Sequence, residues 1–108
     1  MNHFLIEFNN IKWEKPQKGI KQKSFTKANK RIRLVRFTAD FEEAHWCTKG
    51  HVGFVTQGNL RVEFEDKTII FSKGNALWIS EGEDFKHKVK MQTPNTAEVI
   101  LFEEITLS

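Results

Sequence analysis

Residues 45–58 of this 108-residue chain read HWCTKGHVGFVTQG. The first seven of these positions hold the only cysteine and two of the four histidines. In an extended segment, side chains two positions apart share a face, so His45 and Cys47 are predicted to point the same way. Gly50 allows a bend that returns His51 toward the same space. Because imidazole and thiolate groups suit a borderline or soft divalent metal, this stretch is a candidate metal site.

Alternating apolar and polar residues predict strands on either side of this stretch. Residues 60–65 alternate in this way, which is typical of a half-buried strand. Gly58-Asn59 separates this run from the β-prone run His51–Gln57 and predicts a hairpin. Further strands are predicted at Arg31–Phe37, Phe41–Cys47, Thr68–Phe71, Ala76–Ile79, Phe85–Met91 and Ala97–Glu104. Many short strands with regular turn signals, and no amphipathic helix, predict an all-β sandwich or barrel.

Residues 1–30 have a different pattern. Phe4–Phe8 is short, apolar and β-prone, and it predicts an edge strand. The lysine-rich segment Ile11–Lys30 contains Pro16 and Gly19, so we expect irregular structure there, with a strand around Ile20–Phe25 as the alternative. We therefore interpret residues 1–30 as a strand and a basic arm that belong to the same domain as the barrel, residues 31–108.

The charge of the chain is unevenly distributed. Residues 1–36 contain ten Lys or Arg and two acidic residues, a balance of +8, whereas residues 37–108 have a balance of −5. A basic arm is a common nucleic-acid signal. This arm lacks the interleaved aromatic residues that stack on bases, so we interpret it as a solvated segment and do not expect nucleic acid as a partner.

The composition limits the class of protein. The chain is 39% hydrophobic and 29% charged. These fractions are those of an ordinary soluble globular domain. No apolar run approaches the ~20 residues of a membrane helix, so no membrane partner is expected. A single cysteine forms no disulfide within the chain, which favours a reducing, cytoplasmic location.

Two glycine-anchored segments resemble the two motifs of the cupin superfamily. The first family motif is His-x-His, three or four residues, Glu, six residues and Gly, and these places are filled here by His45, Cys47, His51 and Gly58. The second is Gly, five residues, Pro-x-Gly, two residues, His, three residues and Asn, and it corresponds here to Gly74, Ser80-Glu81-Gly82, Phe85 and Val89. The resemblance covers residues 44–90. It implies a cupin-type jelly-roll barrel, a double-stranded β-helix, to which the irregular basic N-terminal segment predicted from composition is attached.

The same resemblance implies a metal or a small ligand in the barrel mouth. His45 keeps the family residue, whereas Cys47, His51 and Phe85 replace a His, a Glu and a His. His87 lies two residues beyond Phe85, on the same face of a strand, and is a further candidate ligand. The predicted metal ligands are therefore His45, Cys47, His51 and His87, a set that favours zinc or iron over manganese.

Two functions remain open at this stage. The first is a small cupin that binds a divalent metal, a small molecule or both inside the barrel, with its catalytic activity undetermined. The alternative is a metal-free sensor or binding module whose ligand packs against Phe85, Trp78 and Trp46. The resemblance also implies a homodimer, and Phe4–Phe8 or the strand after Arg31 is a natural pairing edge.

Overall fold

The computed structural model describes residues 4–105, and its regular structure is almost entirely β. The eight strands are β1 (Glu14–Gln17), β2 (Ile20–Lys27), β3 (Lys30–Phe37), β4 (His51–Phe64), β5 (Thr68–Ser72), β6 (Ala76–Ile79), β7 (His87–Val89) and β8 (Ala97–Glu104). Short 3-10 helices occupy Phe8–Asn10 and Glu83–Phe85. Neither of these helices, the only ones in residues 4–105, is long enough to cross a membrane.

The long strand β4 organises the barrel because its two halves pair with different neighbours. Residues 51–58 pair with β6 on one side and β8 on the other, and residues 59–64 pair with β5 and β7. Beyond β8 the sheet continues through β3 and β2 to β1, and every pairing is antiparallel. The curled antiparallel sheet confirms the predicted all-β barrel.

The predicted hairpin at Gly58-Asn59 is wrong, since β4 runs through both residues. Gly58 has a φ of +72°, and the register with β8 shifts between Val55 and Gln57. A left-handed residue and a bulge bend a strand without reversing it. The turn signal in the sequence therefore marks the place where β4 passes from one set of partners to the other.

The N-terminal segment differs from its prediction in two places. Phe4–Phe8 does not form the predicted strand, because residues 5–7 have no regular structure and Phe8 begins a 3-10 helix. The lysine-rich segment is more regular than expected, since β2 pairs with β3 along its whole length. Ala28 and Asn29, both at positive φ, form the two-residue turn between these strands, as tight hairpins require.

The segment 41–47 is also less regular than predicted. Only two isolated bridges occur there, Glu42 to Lys90 and Cys47 to His87, and a bend separates them at residues 44–45. The interior of the barrel is apolar, and its most deeply buried side chains are those of Val35, Val55, Val62 and Val99. Val35, Val62 and Val99 also line a cavity inside the barrel.

Candidate metal site and cavity

Three of the four predicted ligands converge inside the barrel. One ligand atom each from Cys47, His51 and His87 can be chosen so that all lie within 4.8 Å of one another. His51 begins β4 and His87 begins β7. Cys47 is held beside His87 by two backbone hydrogen bonds, from Cys47 N–H to His87 O at 2.8 Å and from His87 N–H to Cys47 O at 3.0 Å. These three residues are close enough to bind one metal ion.

The hydrogen bonding of His87 prepares one of its nitrogens for coordination. His87 is only 2% exposed, and its Nδ1 lies 3.1 Å from the carbonyl oxygen of Phe85. A carbonyl oxygen can only accept, so this contact places the ring proton on Nδ1 and leaves the lone pair on Nε2. Nε2 is buried and has no hydrogen-bond partner among residues 4–105. A buried acceptor without a partner is costly, and a bound metal would satisfy it.

His51 completes the group. Its Nε2 lies 3.8 Å from Cys47 Sγ, and its ring meets that of His87 edge to face, with centroids 5.2 Å apart. Burial, and then the neighbouring His87, lower the pKa of His51 to about 4. His51 is therefore neutral at pH 7, which is the form that binds metals.

This pKa predicts how the metal-free protein responds to acid. The ordinary pKa of histidine is about 6.5, so between pH 6.5 and 4 the unfolded chain takes up a proton at His51 that the folded protein does not. The contribution of His51 to stability should fall across this window by up to about 3 kcal/mol. Urea unfolding in the presence of a chelator, at pH 7 and pH 4.5, measures this loss. The His51→Gln protein should lose clearly less stability than wild type between pH 7 and pH 4.5. The His45→Gln protein, substituted at an exposed residue, should lose as much as wild type. Equal losses in the three proteins would contradict the lowered pKa of His51.

The structure places the fourth predicted ligand, His45, outside this group. His45 is exposed and lies in the bend at residues 44–45. The expectation that it shares a face with Cys47 assumed an extended segment, and the bend removes that alternation. His87, which lies outside the two cupin-like motif positions, is the most buried of the three clustered residues. The 3-10 helix Glu83–Phe85 precedes β7. His87 is therefore the first residue of the strand that enters the barrel, whereas Phe85 lies before that strand.

The three aromatic residues predicted to line a ligand pocket also lie elsewhere. Phe85 is 49% exposed and Trp46 is 40% exposed, and the Trp46 ring packs beneath Lys86 and Lys88. Trp78, 79% exposed, points to the outside of β6, where it lines a surface groove. Leu77 and Ile79, on either side of Trp78, face the interior instead. His87, two residues after Phe85, does so as well. The alternation of strand faces explains the outcome for Trp78.

A cavity of about 240 Å³ adjoins the three clustered residues and is bounded in part by them. Its wall is mainly apolar, and it includes residues that sequence reasoning did not select, Arg33, Glu43 and Lys49. Arg33 alternates with apolar residues on β3, and this pattern alone could have indicated an inward-facing cation. Lys49 and Glu43 lie in irregular segments, where sequence gives no such signal.

Solved structures with the same fold include several enzymes. The polyketide cyclase RemF from Streptomyces resistomycificus is 14% identical over 96% of this chain and 86% of its own, with a TM-score of 0.76. KdgF from Halomonas sp. is 21% identical over 98% and 96%, with a TM-score of 0.73. An RmlC-like cupin from Shewanella frigidimarina is 15% identical over 98% and 93%, with a TM-score of 0.75. No family model and no curated protein matches the chain.

These likenesses establish the architecture. Sequence identities this low show a shared fold and nothing more. The shared fold is the cupin barrel, which the resemblance to the two cupin motifs implied. Proteins with one fold carry out many reactions, so the function has to be argued from the site.

Proposed function

We propose that this protein is a small cupin-fold protein that binds one divalent metal ion through Cys47, His51 and His87 and admits a small molecule to the adjoining cavity. The observation that carries the proposal is the convergence of three ligand atoms within 4.8 Å in an apolar interior. His87 also has a buried ring nitrogen, Nε2, without a hydrogen-bond partner in residues 4–105. His45 is not part of the proposed ligand set, because its side chain is exposed.

The donor set indicates which metals fit. One thiolate and two neutral imidazoles favour zinc or ferrous iron, whereas manganese prefers oxygen donors. Coordination would require the Cys47 thiol to lose its proton, and a divalent cation promotes that loss. With three protein ligands, a bound metal could act as a Lewis acid toward a molecule in the cavity. The His87–Phe85 hydrogen bond would hold the imidazole in the tautomer that coordinates.

Metal analysis tests the proposal directly. The protein is reconstituted with Zn²⁺ or, without oxygen, with Fe²⁺, and the excess is removed before elemental analysis. About one metal ion per chain is expected, together with slower alkylation of Cys47 than in chelator-treated protein. A chain that retains no metal and alkylates at the same rate in both states would contradict the proposal.

A metal-free binding module is the second candidate function, and the cavity favours it independently of the ligand cluster. The wall is mainly apolar and could hold a small molecule without a metal. Thermal stabilisation by such a molecule that is the same with and without chelator would favour this candidate.

We also propose that the protein forms a homodimer through the outer face of β6, β4, β8 and β3. Outward-facing residues in these strands form two adjoining apolar rows, Trp78-Val52-Phe102-Ile32 and Ala76-Phe54-Ile100-Leu34. Trp78, Phe102 and Phe54 are 79%, 50% and 42% exposed. An aromatic side chain contributes about 150–250 Å², so these three alone expose roughly 300 Å². A standard interface needs about 450 Å² of apolar surface on each partner, and the remaining members of the two rows can supply the difference.

The charges beside this face suit a second copy of the same chain. Lys30 stands opposite Glu104 at one end, and Arg36 bonds Glu98 at 2.6 Å at the other. Opposite charges within each pair limit repulsion between identical faces, which a two-fold dimer brings together. The two edge strands predicted from the sequence cannot pair between protomers. Phe4–Phe8 is not a strand, and β3 is already paired on both sides.

Charged substitutions on this face test the dimer. Wild type is expected to elute at twice the chain mass in size-exclusion chromatography with light scattering. Phe102→Glu should weaken the dimer at least tenfold, because it buries an unpaired charge in the interface. Lys73→Glu, in a turn outside the face, is the matched control and should remain dimeric. A monomeric wild type, or a Phe102→Glu protein as dimeric as wild type, would rule out this interface.

A further inference from the structure

The wall of the cavity is chemically divided. Most of it is apolar, with Val35, Val62 and Leu77 among its members, whereas Arg33 and Lys49 provide cations. Arg33 is partly buried in this wall, and Lys49 is exposed at its edge. The cavity thus combines an apolar volume of about 240 Å³ with a positively charged region next to the proposed metal ligands.

The two cations of the cavity wall differ in their ion pairing. The Glu103 carboxylate is shared by two guanidinium groups, at 2.8 Å from Arg31 and 2.8 Å from Arg33, and Arg33 makes two hydrogen bonds to it. Arg33 is therefore the balanced cation of the cavity wall, whereas Arg31 lines the neighbouring groove. Lys49, which is exposed at the edge of the cavity, makes no ion pair with residues 4–105. The carboxylate in the cavity wall belongs to Glu43, and its Oε1 accepts a hydrogen bond from the N–H of Val89 at 2.9 Å.

We infer that the cavity binds a small, mainly apolar carboxylic acid, with its hydrocarbon part against the apolar wall and its carboxylate facing Lys49. Cavity size sets the scale, because benzene is known to occupy apolar protein cavities smaller than this one. At about 240 Å³, the cavity has room for roughly ten non-hydrogen atoms. The inference rests on the proposed function for the location of the site, but recognition of a carboxylate by Lys49 requires no metal.

Calorimetric titration of metal-free protein with phenylacetate and phenylacetamide tests this inference. The two compounds have the same shape and the same number of non-hydrogen atoms, and they differ in charge. Wild type should bind phenylacetate about tenfold more tightly, the difference expected for a hydrogen bond to a charged group. Lys49→Met should reduce that preference to less than about twofold while binding of the amide persists. Lys73→Met lies outside the cavity and the groove and should behave as wild type.

The outcomes separate this inference from the metal proposal. Equal affinity of wild type for acid and amide, no binding of either, or an undiminished preference in Lys49→Met would overturn the inference. Cys47→Ser protein should retain the preference for phenylacetate although it binds metal poorly. Suppose that wild type, Lys73→Met and Cys47→Ser all prefer phenylacetate but wild type binds no metal. That result would overturn only the metal proposal.

Discussion

Replacing Cys47 by Ser should weaken metal binding by at least about 100-fold, because it removes the one anionic ligand of the proposed set. Substitutions of groups that merely support a ligand already cost about 10–100-fold, and loss of a ligand should cost no less. Serine is nearly isosteric and leaves the two backbone hydrogen bonds between residue 47 and His87 available, so the local fold should persist. Competition against a chromophoric chelator measures the affinity, and thermal unfolding of the metal-free proteins checks the fold.

The control for this experiment lies two residues away. His45→Ala should bind metal within about twofold of wild type, since His45 is exposed and outside the cluster. His51→Gln should resemble Cys47→Ser. The ligand set would be wrong if His45→Ala lost affinity as Cys47→Ser does, or if Cys47→Ser bound as tightly as wild type.

Replacing Gly58 by Ala should destabilise the protein by about 3 kcal/mol or more. Gly58 has a φ of +72°, and a Cβ there would overlap the carbonyl oxygen of Thr96. The backbone at Thr96 and Ala97, where β8 begins, must then shift, and β4 pairs with β8 at this point. Because β4 joins both sets of partner strands, the whole barrel is destabilised. Urea unfolding at pH 7 measures the loss.

Gly74→Ala separates backbone strain from overlap. Gly74 also has a positive φ, +92°, but no atom lies within 4 Å of a Cβ built there. Strain alone costs about 1 kcal/mol. If Gly58→Ala is no more destabilising than Gly74→Ala, the close packing of β4 against Thr96 does not constrain the fold.

Much of the barrel was readable from the sequence because strands with one buried face alternate in polarity. The predicted strand Ala97–Glu104 coincides with β8, and Ala76–Ile79 coincides with β6. Turn signals were less decisive. Gly58-Asn59 has the composition of a hairpin but lies within a continuous strand, because β4 has partners along its whole length and a positive φ can bend a strand as well as reverse it.

For the site, the sequence by itself determined the donor types and their proximity along the chain, since Cys47 and His51 are four residues apart. Only the tertiary structure decided the third member. An antiparallel bridge places His87 beside Cys47, although the two residues are distant in the sequence. A bend at residues 44–45 places the side chain of His45 outside the group. Spacing along a chain fixes direction only while the backbone stays regular, whereas the pairing of distant strands fixes which side chains meet.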